Sequence, residues 1–194
     1  MRTERRLVKL EAALRRRQPD LTVVLENIHD PHNVSAILRS CDAAGVHEVH
    51  LIYSNEEFPR IGKKSSSSAK KWVERRQFAS VKSCYDHLRR EGFRVFATRL
   101  DEHARSLYAL DLTAKAALVF GNEHRGVSDE AAKLADGTVM IPMMGMIQSL
   151  NVSVACAVSL FEAVRQRLQA GHYGSAKFPE SAIAALLKSW AMKE

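Results

Sequence analysis

The chain has 194 residues, 46% of them hydrophobic, which suits one globular domain with a small appendage. No apolar run is long enough to cross a membrane, and neither the three scattered cysteines nor the eight histidines show a metal-binding spacing, so we expect a cytoplasmic protein without membrane anchor, disulfides or metal. The net charge of +7 is concentrated in residues 1–20 (+4) and 60–76 (+6), whereas the remainder carries −3, and this distribution indicates a polyanionic partner.

The N-terminal third is predicted to alternate helix and strand. Residues 3–17 have the leucine spacing of a helix, and residues 21–25 are a short β-branched run typical of a buried strand. A helix is predicted after Asn33, with an apolar face from Val34 to Ala44 and an end at Gly45. Residues 46–53 form a second strand, and residues 54–71 form an unusually long loop.

Two basic clusters in this region are candidates for phosphate contact. They consist of Arg15, Arg16 and Arg17 at the end of the first helix, and Lys63, Lys64, Lys70 and Lys71 in the long loop. The arginines could equally complement the helix dipole, and the lysines could belong to an inert linker.

The rest of the chain continues the alternation. Strands are predicted at residues 93–98, 116–120 and 138–141, and helices at 80–90, 128–135, 150–168 and 180–192. Residues 171–179 read as a linker. Regular β–α alternation predicts an α/β fold with a mostly parallel sheet covered by helices.

Three loops follow predicted strands, and ligand sites of parallel sheets lie beyond the carboxyl ends of strands. A polar loop follows Leu25, a glycine-bounded loop follows Phe120, and an almost wholly apolar loop follows Ile141. The second loop has Val127 where a phosphate-binding P-loop needs lysine, which argues against a nucleotide hydrolase. Ser149 is the predicted N-cap of the long helix, whose apolar stripe runs from Leu150 to Leu168.

The same three stretches resemble the signature motifs of the SPOUT superfamily of RNA methyltransferases. They read N-I-H-D-P-H-N-V-S-A-I-L-R-S-C-D-A-A-G (27–45), L-V-F-G-N-E-H-R-G-V (118–127) and I-P-M-M-G-M-I-Q-S-L-N-V-S-V-A (141–155). The R-R-Q-P-D-L-T-V and S-A-K-K-W-V segments resemble the TrmH branch, which methylates the guanosine 2′-hydroxyl at tRNA position 18. The His124-Arg125 pair departs from that branch and is similar to ribosomal-RNA relatives.

The resemblance implies a C-terminal trefoil knot that binds S-adenosyl-L-methionine, an active site at a homodimer interface and tRNA as substrate. It assigns the cofactor pocket to Thr98, Gly121, Ile141, Met143, Ser149 and Leu150. It assigns catalysis to Asn33, Arg39, Glu123, Ser149 and Asn151. Asn33 could instead be a helix cap, and Arg39 could simply pair with Asp42.

From this resemblance we expect a basic helical extension at residues 1–20, a methyltransferase domain at 21–171, and a linker with a final helix at 172–194. Two alternatives stay open. One is 2′-O-methylation of ribosomal RNA or of another tRNA position. The other is a catalytically silent RNA-binding module, which need not bind S-adenosyl-L-methionine.

Overall fold

The structure, a computed structural model, describes residues 4–54, 58–59 and 69–193. Its helices are α1 (Glu4–Arg15), α2 (Pro31–Ala43), α3 (Val81–Arg90), α4 (Asp129–Leu134), α5 (Val152–Gln169) and α6 (Glu180–Met192). Its strands are β1 (Leu21–Glu26), β2 (Glu48–Ile52), β3 (Glu74–Phe78), β4 (Arg94–Thr98), β5 (Arg105–Ser106), β6 (Ala116–Phe120) and β7 (Gly137–Met140).

The strands form one sheet in the order β3-β2-β1-β6-β4-β7-β5, and every pairing in it is parallel. Parallel sheets need both faces covered. Side chains of β1 and β6 alternate between a core shared with α2 and α5 and a second core shared with α3 and α4. The predicted α/β class, with a mostly parallel sheet covered by helices, is therefore confirmed. The knot stays a prediction.

Strand β3 was not predicted, and its sequence explains why. Its residues E-R-R-Q-F are mostly exposed and carry charge on both faces, so the pattern of a half-buried strand is missing. It lies at the edge of the sheet and pairs through its backbone with β2. Charged side chains are typical of edge strands because they discourage pairing with another chain.

Helix α5 packs against α2 with a different face from the predicted one. Val154, Phe161 and Leu168, which lie on its predicted apolar stripe, are 47%, 52% and 59% exposed. The buried face runs instead through Cys156, Leu160 and other small or polar residues. A large apolar stripe on the long helix is thus left uncovered in the single chain.

The terminal helices α1 and α6 pack together. Leu10 and Leu14 contact Ile183 and Trp190 in a small separate core. Arg15 adds a forked pair of hydrogen bonds to Glu180, at 2.7 and 3.0 Å. Across the described ranges, no helix is long and apolar enough to span a membrane.

The interpretation of Arg17 as a phosphate-contacting residue is wrong. Its side chain is 2% exposed, bonds Asp42 and the carbonyl of Val46, and lies 5.0 Å from the Trp190 ring. Arg17 therefore fastens α6 to α2 and does not face solvent. In contrast, Arg16 is exposed.

Candidate functional site

The carboxyl ends of β4, β6 and β7 border a cavity of about 390 Å³. This volume lies in the range of small-molecule sites, roughly 300–1,000 Å³. Its lining includes every residue predicted for the cofactor pocket: Thr98, Gly121, Ile141, Met143, Ser149 and Leu150. The sheet order brings these residues together although they span more than 50 positions of sequence, roughly a quarter of the chain.

Three predicted catalytic residues meet at the rim of this cavity. Asn33 Nδ2 donates to Glu123 Oε1 at 2.9 Å, and Asn151 Nδ2 donates to Asn33 Oδ1 at 3.2 Å. Glu123 and Asn151 also line the cavity, whereas Asn33 is buried behind them with 8% exposure. The three loops that follow β1, β6 and β7 are thus joined by one hydrogen-bonded chain.

The Glu123 carboxylate also holds the start of the first motif in place. Its oxygens accept hydrogen bonds from the backbone N–H groups of His29 (2.9 Å) and Asp30 (3.0 Å). Burial raises the pKa of Glu123, but the hydrogen bonds from Asn33 and these amides outweigh it and hold the pKa below its usual value. An ionised carboxylate therefore stands at the cavity rim at neutral pH.

Two predicted helix caps differ from the observed ones. Asn151, and not Ser149, caps α5, because its Oδ1 accepts from the backbone N–H of Ser153 at 2.9 Å. Asp30, and not Asn33, caps α2 through the N–H of His32. The side chains of Asn33 and Ser149 therefore stay available to the site, and capping fixes the amide orientation of Asn151.

The turn after β6 requires glycine at position 121. A Cβ there would lie 2.2 Å from backbone atoms of Gly126 and Val127, far inside contact distance. Asn122 closes the turn, since its Oδ1 accepts from the N–H groups of His124 and Arg125. The absence of a side chain at Gly121 therefore lets this turn close on itself beside the cavity.

Only part of the apolar loop lines the cavity, and that part includes both positions predicted for it, Ile141 and Met143. Met143 lines it, but Met144 and Met146 are 93% and 99% exposed and point away. Two leucines that the sequence did not point to, Leu100 and Leu107, also line the cavity. No helical or strand periodicity in the sequence points to these two leucines, since they lie between β4 and β6 in a segment with little regular structure.

Arg39 is not brought to this cluster within one chain. It follows Asn33 by six residues of α2, which separates the two side chains by about 120° around the helix, and it is exposed. Ser149 does line the cavity, next to Asn151. Of the basic candidates in the long loop, Lys70 and Lys71 are partly exposed beside Trp72, while Lys63 and Lys64 lie outside the described residues.

Comparison of the sequence with known proteins gives two findings. Residues 20–161 match the family model described as the SpoU rRNA Methylase family. The chain is 50% identical, over 99% of its length and 98% of the relative's, to the tRNA (guanosine(18)-2′-O)-methyltransferase of Thermus thermophilus.

Two solved structures are also similar. The A. aeolicus TrmH/SpoU tRNA modifying enzyme superposes with a TM-score of 0.91 at 38% identity, covering 97% of this chain and 95% of that one. The SpoU methyltransferase AviRb from Streptomyces viridochromogenes, in complex with the cofactor AdoMet, superposes with a TM-score of 0.66 at 30% identity, covering 80% and 62%.

Proposed function

This chain belongs to the SpoU rRNA Methylase family, and on that premise we propose that it transfers a methyl group from S-adenosyl-L-methionine to the ribose 2′-hydroxyl of a tRNA guanosine, at D-loop position 18. The observation that carries the proposal is the Glu123–Asn33–Asn151 hydrogen-bonded chain at the rim of the cavity, in a sequence half identical to a relative of that activity. The cytoplasm suits this substrate and the three cysteines, which carry no disulfide.

The residues around the cavity fit S-adenosyl-L-methionine. The apolar side chains of Ile141, Met143 and Leu150 line the cavity, are partly exposed, and offer a surface for a flat ring. We assign cofactor contact to the six predicted lining residues, from Thr98 to Leu150. When bound, the cofactor supplies a methyl group activated by sulfonium.

The hydrogen-bonded chain orients the acceptor. Asn33 and Asn151 are each held in one amide orientation by their partners, which makes the rim preorganised. Holding the 2′-hydroxyl in line with the methyl group supplies much of the acceleration in such a transfer. Ser149, at the same rim, adds a hydroxyl that supports this positioning.

We assign Arg39 to the phosphate next to the reacting ribose and to the developing alkoxide. A guanidinium stays protonated in proteins and is therefore poorly suited to act as a general base. Because Arg39 is exposed and lies about 120° around α2 from Asn33, we assign it to the site of a partner subunit. Arg16 in the N-terminal extension and the lysines of residues 63–71 hold the tRNA backbone. Arg15 is instead paired with Glu11 and Glu180.

A homodimer accounts for the uncovered stripe of α5. Val154, Phe161 and Leu168 form an exposed apolar face on a helix that packs against α2, which carries Arg39. Light scattering of Phe161→Asp is expected to show the monomer mass, while Val8→Asp, an equally exposed position on α1, keeps the dimer. A monomeric wild-type mass at working concentration would remove the dimer from the proposal.

The activity is tested by incubating unmodified tRNA with the protein and S-adenosyl-L-methionine and digesting it to nucleosides for mass spectrometry. We expect 2′-O-methylguanosine, its loss when the tRNA carries 2′-deoxyguanosine at position 18, and its loss in Asn33→Ala but not in the neighbouring His32→Ala. A base-methylated product, or faster methylation of a ribosomal-RNA fragment, rejects the proposal. Calorimetry with S-adenosyl-L-methionine separates an enzyme from a silent RNA-binding module.

A further inference from the structure

Glu48, His50 and His87 form a cluster far from the cofactor cavity. Glu48 and His50 are two residues apart on β2, so their side chains share one face of the sheet, which α3 covers with His87. One potential ligand atom from each lies within 4.8 Å of the other two. A cavity of about 300 Å³ adjoins the cluster, and none of its lining residues belongs to the lining of the cofactor cavity.

The hydrogen bonds of Thr22 determine which nitrogen of His50 is protonated. Thr22 Oγ1 donates its one proton to the carbonyl of Glu48 at 2.7 Å, so it accepts from His50 Nδ1 at 3.0 Å. Nε2 of a neutral His50 is then a bare acceptor, and it lies 3.5 Å from Oε2 of Glu48. Two acceptors that face each other repel, and a cation between them removes the repulsion.

The guanidinium of Arg76 already serves this purpose in part. Arg76 Nε lies 3.2 Å from Oε1 of Glu48, and its Nη1 lies 3.3 Å from Nε2 of His87. The Arg76 side chain is 50% exposed and comes from the edge strand β3, so an outward rotation would place its guanidinium in solvent.

We propose that Glu48, His50 and His87 form a site for a divalent transition metal of the zinc class, which displaces Arg76. Two imidazoles and one carboxylate are a zinc donor set, and water takes the fourth position of a tetrahedron. Bonds of about 2.0–2.1 Å place tetrahedral ligands about 3.3 Å apart, close to the 3.5 Å between His50 and Glu48. Thr22 orients the His50 ligand from behind, as second partners of metal-bound histidines do. The metal would fasten α3 to the sheet.

The test uses tag-free, chelator-stripped full-length protein and titrates Zn²⁺ by calorimetry, with Co²⁺ as a spectroscopic probe. We expect one ion per chain and the intense visible absorption of four-coordinate Co²⁺. Affinity for Zn²⁺ falls at least tenfold in His87→Ala and in the near-isosteric Glu48→Gln, rises severalfold in Arg76→Ala, and is unchanged in the exposed control His103→Asn.

Circular dichroism of each variant shows whether it is folded, which distinguishes unfolding from the loss of one metal-binding side chain. Equal Zn²⁺ affinity in wild type, His87→Ala and Glu48→Gln would overturn the proposal. If Arg76→Ala does not bind Zn²⁺ more tightly than wild type, the proposed competition between Arg76 and the metal is wrong. Because the site shares no residue with the cofactor cavity, methyl transfer is not its readout, and the proposed function stands or falls separately.

Discussion

Replacing Glu123 with glutamine isolates the charge that joins the first two motifs. The carboxylate accepts three hydrogen bonds, from Asn33 and from the backbone of His29 and Asp30. A glutamine oxygen at the Oε1 position keeps the bonds from Asn33 and Asp30, but its NH₂ group then faces the N–H of His29. One charge-assisted bond is lost and two donors oppose each other.

The expected loss in free energy of unfolding is about 1–2 kcal/mol. A hydrogen bond to a charged group contributes roughly 1.5–3 kcal/mol. Glu123 is partly exposed and its bond to the His29 amide is open to water, which puts the loss at the lower end. Urea unfolding at one fixed protein concentration measures it, with Glu102→Gln, an exposed carboxylate in a loop, as the matched control.

The pH dependence gives a second readout of the same charge. Because the pKa of Glu123 is lowered on folding, its stabilisation is present above the unfolded-state value and is lost as pH falls through the lower folded value. The stability difference between wild type and Glu123→Gln should therefore shrink in acid. A double-mutant cycle with Asn33→Ala should show coupling of about 0.5–3 kcal/mol. A difference that stays constant down to acid pH, or additive effects, would refute the reasoning.

Three further predictions follow from the positions of single residues. Gly121→Ala places a Cβ against the backbone of Gly126, so we expect a destabilisation of about 3 kcal/mol or more in thermal unfolding and loss of S-adenosyl-L-methionine binding by calorimetry. Arg39→Lys should retain part of the methyl-transfer rate that Arg39→Ala loses; equal loss in both, with tRNA binding intact, would contradict an electrostatic role. Arg17→Ala should cost about 1–3 kcal/mol of stability, because it leaves the buried carbonyl of Val46 without its donor. In contrast, Arg16→Ala should weaken tRNA binding in a filter assay and leave stability unchanged.

Local sequence patterns are sufficient to locate most of the helices and strands. Strand β6 and helix α6 begin and end at the predicted residues. The ends of β6 are the ends of an uninterrupted apolar run, and the start of α6 is marked by Pro179. The sequence did not predict strand β3, because this strand forms through backbone pairing with β2. Its charged side chains show no alternation of apolar and polar residues.

Side-chain exposure was the weaker part of the prediction, since it depends on partners distant in sequence. The periodicity of α5 located an apolar stripe correctly, but α2 packs against the other face of that helix and leaves Phe161 in solvent. Similarly, three adjacent arginines look alike in sequence, yet α6 buries Arg17 and pairs Arg15, and leaves Arg16 exposed.

The sequence by itself determined which residues lie at the carboxyl ends of strands, and therefore which residues are candidates for the site. Tertiary structure decided which of them touch. Asn33, Glu123 and Asn151 meet because β1, β6 and β7 belong to one sheet. Arg39 lies on a different side of α2 from Asn33. Strand order and helix facing are set by long-range packing, which no local spacing encodes.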